Sequence, residues 1–187
     1  MHAVLRSAFE EIREELTHYD STSANVHPRG VPHCWTARQV VEHLELSLSA
    51  TQTELEGRLA KGRISRRVQR TRAEWALQLM VLSVGHMPRG VPATPEMTPK
   101  NEDDSSGMRD LTARLETALE AMDGALDRAR AEFGMERVGR HFLLGPLRVD
   151  QWRRYHVLHM RHHRKQIAEV REAQSVTVRH HAAMARV

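Results

Sequence analysis

Apolar residues recur along much of this chain at three- and four-residue steps, the spacing that lines one face of a helix. Residues 2–19 place Leu5, Ala8, Phe9, Ile12, Leu16 and Tyr19 in that rhythm with acids and arginines between them, which predicts an amphipathic first helix. A second helix opens after Trp35, where Thr36 and Gln39 have the spacing of a capping box, and its apolar face runs Val40, Leu44, Leu48, Thr51, Leu55 and Leu59. Residues 73–84 are apolar on nearly all sides, which predicts a buried helix. Residues 108–132 repeat Leu111, Leu115, Ala118, Leu119, Met122, Ala125, Leu126 and Ala129; Ser105 or Ser106 can cap the start of this long helix and Gly134 ends it. A last helix is expected from about Gln151 to Glu172, with Asp150 as its cap.

The connections are of three kinds. Residues 20–34, with two prolines and a glycine, read as a loop in which His27 and His33 are exposed. From Pro88 to Gly107 the chain carries four prolines, two glycines and the acidic patch Glu102, Asp103 and Asp104. That is a long crossover expected to do no more than link distant helix ends. Residues 141–147 (HFLLGPL) read as a turn-rich apolar connector. Four long helices, a short one and one crossover predict an all-α fold, an up-and-down-like four-helix bundle. It forms a single domain over 1–187, with a tail from about residue 174 expected to fray or to pack on a partner.

Composition narrows the class without changing that picture. The 187 residues are 40% hydrophobic, 28% charged and only 4% aromatic, as a helical globular domain would be. The net charge of +4 is modest, yet the seven basic residues from Arg58 to Arg72 have no acid among them. A solvated helix face or basic loop is the preferred reading; nucleic-acid contact is not favoured, because no stacking aromatics or reading motif accompany the charge. The single Cys34 excludes an internal disulfide and is expected to be a packed thiol rather than a nucleophile, since no base neighbours it in sequence. No signal-like run and no apolar stretch of about eighteen residues is present, so a cytoplasmic protein with no membrane partner is expected.

The chemistry concentrates in the last helix. Four of the thirteen histidines, His156, His159, His162 and His163, fall within eight residues there. At about 100° per residue, Trp152, His156, His159, His163, Ile167 and Val170 share one stripe, whereas His162 points well away from it. Imidazoles buried where leucines are expected need partners, since each unsatisfied group costs about 1–3 kcal/mol. His159 and His163, four apart, can reach one ion. His156 and His163 are separated by about 10.5 Å of rise, so one of the outer two is a neighbour rather than a ligand. His43, inward on the second helix, is the best candidate from elsewhere in the chain. Three neutral imidazoles with an open position describe a catalytic type of site for Zn²⁺, Ni²⁺ or Fe²⁺, in which bound water or a thiolate becomes the nucleophile. The alternative is a buried hydrogen-bond network or a surface patch, which must find many partners. His2, His18, His180 and His181 have no periodic context and are expected to be solvated.

Cys34-Trp35-Thr36-Ala37-Arg38-Gln39-Val40-Val41-Glu42-His43-Leu44 resembles the start of the second helix in the DinB-like superfamily. Gly145-Pro146-Leu147-Arg148-Val149-Asp150-Gln151-Trp152, followed by His156, His159, His163 and Gln166-Ile167, is similar to that group's later motif, and Met87 to Pro95 to its proline-rich crossover. The resemblance implies a four-helix bundle with a His₃ divalent-metal site on His43, His159 and His163, and relegates His156 to a place behind the ligands or in the cavity wall. It also implies kinship with metal-dependent transferases and isomerases that use low-molecular-weight thiols such as mycothiol or bacillithiol. The expected function is metal-dependent transfer or hydrolysis on a small-molecule substrate, with arginines at the mouth holding an anionic thiol. The alternative is a non-catalytic metal-binding or stress-associated protein, with a homodimer formed through exposed helix faces.

Overall fold

In a computed structural model, residues 1–28, 34–62, 69–100 and 107–184 are described, with side chains to 175. Five helices and one small sheet follow in order: α1 (Ala3–Leu16), α2 (Ala37–Lys61), α3 (Arg72–Gln78), α4 (Met108–Phe133), β1 (Arg137–His141), β2 (Gly145–Arg148) and α5 (Val149–Met184). The six apolar positions of the first helical pattern, Leu5 through Tyr19, are all buried, and the Tyr19 hydroxyl donates to the Ile167 carbonyl of α5 at 2.6 Å. The capping box at Thr36 and Gln39 is formed with both its bonds, and α2 buries Val40, Leu44, Leu48, Thr51 and Leu55. α4 ends at Gly134, whose φ of 62° suits glycine. α1 packs along α5 and α2 along α4, while α2 and α4 also touch α5. The helices therefore enclose one apolar core, and α2 and α5 are the neighbours that a shared histidine site requires.

Four expectations need correction. The fold is mostly helical but not all-α: the connector at 141–147 lies in an antiparallel hairpin pairing Arg137 with Arg148, Arg140 with Pro146 and His141 with Gly145. Its three-residue loop closes on Gly145 at φ 69°, the left-handed position such loops favour. The segment 73–84 is not buried all round. After α3 it continues as a π-helical turn, Leu79–Val84, and its inward positions are the polar Glu74 and Gln78 together with Val81 and Leu82. The hairpin carbonyls need donors, and the Gln78 amide supplies them, reaching Leu144 O at 2.6 Å and Pro146 O at 3.2 Å. Trp75, Leu79 and Val84 are left on the outside.

The last two corrections concern α5. It begins at Val149, two residues earlier than expected, with Gln151 Oε1 accepting from the Arg148 N–H at 3.0 Å, and Asp150 pairs instead with the Arg148 guanidinium. It also continues to Met184 rather than ending near Glu172, because no glycine or proline follows Pro146 to stop it. Gly107 precedes α4 without a side-chain cap; the expected caps Ser105 and Ser106 lie outside the described residues, as do His33, the acidic Glu102, Asp103 and Asp104, and Arg63, Arg66 and Arg67 of the basic stretch.

A Cβ placed on Gly145 would come within 2.5 Å of the Glu74 carboxyl, which pairs with Arg140 of β1. Space and backbone conformation thus both demand glycine. Gly145→Ala is expected to lower stability by about 1–3 kcal/mol. The urea midpoint measures this, and an unchanged midpoint would contradict the assigned turn.

Candidate metal centre

Two helices and the crossover build the cluster. α2 carries His43 inward one turn before Ser47, and α5 presents His159 and His163 on successive turns; all three are buried, at 7%, 6% and 7% exposure. Their Nε2 atoms converge, with His159 at 3.3 Å from His43 and 3.0 Å from His163, and one nitrogen from each ring falls within 4.8 Å of the others. The far side of two rings fixes their protonation. The Nδ1–H of His43 donates to the Met97 carbonyl at 2.8 Å, and that of His163 to Gln166 Oε1 at 2.8 Å. A neutral imidazole carries one N–H, so both of these rings aim a bare lone pair at His159.

That arrangement suits a cation better than a hydrogen-bond network. His159 has one proton to offer and faces two acceptors, and its Nδ1 is buried without a partner among the described residues. Nitrogens bound to one tetrahedral zinc at about 2.0–2.1 Å would stand about 3.3 Å apart, close to the two separations found. Met97 and Gln166 are the kind of outer partners that orient metal-binding imidazoles. Three buried histidines here are therefore close enough to hold a metal ion.

Electrostatics keep the rings neutral and ready to bind. Burial lowers the pKa of His43, partly offset by its bond to Met97. Burial, then the neighbouring His43, pushes His163 down to about 3. His159 is held well below its usual range by burial first and by the surrounding imidazoles second.

His156 is not part of this cluster. It is 1% exposed and its Nε2–H donates to Thr51 Oγ1 at 3.0 Å, while that hydroxyl donates to the Ser47 carbonyl at 3.1 Å. The ring is a satisfied core group between α2 and α5, its pKa pushed to about 3 by burial and then by the neighbouring His141. His162, expected to lie apart, stands edge-on to His163 at 5.1 Å between centroids and lines the same cavity as the cluster.

The cavity has a volume of about 500 Å³ and is lined by Leu77, Val81, Phe142 and Leu144 and by crossover residues Met87 to Ala93. The crossover thus does more than connect helix ends: it lines the cavity and supplies the carbonyl that orients His43. Arg89, paired with Glu169 at 2.7 Å, is an arginine at this lining. Cys34 is exposed and lines the cavity rather than being packed, and its backbone carbonyl accepts from the His27 ring at 2.7 Å. Sequence reasoning also passed over Tyr155, whose ring stacks on His159 at 5.2 Å, and the buried His141 at the end of β1. Alternation over β1 was too short to announce a strand, so His141 carried no positional signal.

No helix among the described residues is long and apolar enough to cross a membrane. No curated protein and no solved structure matches the chain. A family model described as "Protein of unknown function (DUF1569)" does match, over residues 7–170, a span that runs from α1 into α5 and takes in all three converging histidines. On that match, the chain belongs to the DUF1569 family.

Proposed function

We propose that this protein is a DinB-like metalloenzyme, an up-and-down four-helix bundle in which His43, His159 and His163 hold a divalent ion, zinc or nickel before iron, for transfer or hydrolysis on a small molecule. The observation that carries the reading is the convergence of three Nε2 atoms, two of them bare, in a cluster that opens on a largely apolar cavity. An ion of this kind supplies Lewis acidity and makes an adjacent water or low-molecular-weight thiol a stronger nucleophile at neutral pH. The chain's own residues do the rest. Met97 and Gln166 fix the ligand tautomers, and Leu77, Val81 and Leu144 keep bulk water from the substrate. Arg89 offers a charge to an anionic thiol or substrate at the mouth. A site built only to stabilise the fold would be closed by a fourth protein ligand; among the described residues the metal-ligating group contains three.

Metal-free protein reloaded with Zn²⁺ or Ni²⁺ is expected to accelerate the reaction of cysteine with 1-chloro-2,4-dinitrobenzene, or the hydrolysis of 4-nitrophenyl acetate, and to lose that rate in His43→Ala. Stoichiometric metal uptake without any rate above the free ion in either assay would leave a metal-binding protein and overturn the catalytic reading.

A further inference from the structure

His141 lies outside the metal cluster, yet it is held with unusual care. Its ring is 6% exposed and sits at the end of β1, where Nδ1 accepts from the backbone N–H groups of both Leu143 and Leu144 at 3.1 Å. Two donors converging on Nδ1 leave no room for a proton there, so the ring's single proton is on Nε2. Protonating the ring fully would set a new N–H against two others, and burial by itself pushes the pKa down to about 4. Both hydrogen bonds to the ring are taken at Nδ1; Nε2–H makes none among the described residues, and the residue lines the 500 Å³ cavity. The Tyr155 ring lies against both His141, at 4.4 Å between centroids, and His159, at 5.2 Å. A neutral donor of fixed tautomer therefore stands one aromatic ring away from the metal cluster.

We propose that the Nε2–H of His141 receives the carbonyl or carboxylate oxygen of the small molecule bound in this cavity, which makes the substrate a largely apolar compound bearing such an oxygen. This rests on the reading of the cavity as a substrate site. An amine presented at the same position would set donor against donor, so the imidazole selects acceptors. The remaining walls near it, Phe142, Leu144, Leu77 and Val81, offer apolar contact and match a hydrocarbon body. The hairpin is the device that makes the donor: its tight loop turns two backbone amides onto one side of the ring and leaves the other side for the ligand. Because the ring stays neutral, it can polarise a carbonyl without giving up its proton.

The test uses protein with ¹⁵N-labelled histidine, supplemented with zinc, and two-bond ¹⁵N–¹H spectra at pH 7. His141 is expected to show the Nε2–H tautomer, and its Nε2 proton to move downfield on titration with hexanamide, hexanoate or both. A response to hexanoate alone identifies an acid as the ligand class; a response to both identifies the carbonyl oxygen. His141→Phe is expected to weaken whichever probe binds by about tenfold, the worth of one hydrogen bond, and to keep its zinc. Should that variant disturb the hairpin, the wild-type spectra decide. An Nδ1–H or imidazolium pattern at pH 7, binding of a probe without movement of the His141 signals, or failure of both probes to bind would each overturn the proposal. Absence of zinc uptake with an intact response of the Nε2 proton would instead remove the metal reading alone.

Discussion

His159→Ala is expected to lower zinc affinity by roughly a hundred- to a thousandfold. Structural zinc sites with four ligands bind with about 10–16 kcal/mol at neutral pH, so one ligand accounts for about 2.5–4 kcal/mol, and each 1.4 kcal/mol is a factor of ten. His159 is the member whose loss should matter most, because its Nε2 lies between the other two at 3.3 and 3.0 Å, and removing it leaves the remaining pair without their common neighbour. Competition with a chromophoric chelator measures the change. His156→Phe serves as the contrasting variant: it breaks the bond to Thr51 and should cost about 1–3 kcal/mol of stability, yet leave zinc affinity where it was. Equal zinc affinity in wild type and His159→Ala would refute the assigned centre, and a large loss in His156→Phe would mean that the site extends one turn further along α5.

The second large effect is on stability in acid. His141, His156 and His163 have folded-state pKa values of about 4, 3 and 3, all lowered chiefly by burial, against about 6.5 when unfolded. Between those values the unfolded chain binds more protons than the folded one, so stability present above pH 6.5 is lost as pH falls. Each group contributes about 1.4 kcal/mol per pH unit, and three together about 4 kcal/mol per unit. By pH 5 the loss is about 6 kcal/mol, which is comparable with the whole stability of an ordinary domain. Metal-free protein should therefore unfold between pH 6 and 4, with its urea midpoint falling steeply over that window. A flat midpoint from pH 6.5 to 4.5 would show that the rings are solvated and not buried as described.

Much of this arrangement could be read in the chain because it rests on side-chain periodicity. The α1 stripe, the Thr36–Gln39 cap and the i, i+4 pair His159 and His163 all express themselves at fixed spacings. His43 was reachable because it lies inward on a strongly periodic helix. What escaped has a different physical origin. The carbonyl of Met97 orients His43, and a backbone carbonyl leaves no trace in residue identity. The hairpin strands are four and five residues long, too short for alternation to outweigh Gly145-Pro146 read as a turn. Around Trp75 the apolar pattern misled: the inward positions are Glu74 and Gln78, chosen to meet Arg140 and the hairpin carbonyls rather than to fill a core.

The Met97 bond also ties two equilibria together. Holding the crossover in place and holding an ion on His43 favour the same tautomer of one ring, so each must strengthen the other by an equal free energy. A ligand that shifts residues 95–97 to enter the cavity would therefore loosen the ion by as much as the ion resists its entry. Metal affinity, measured with and without cavity ligands, becomes a gauge of how far the crossover has moved.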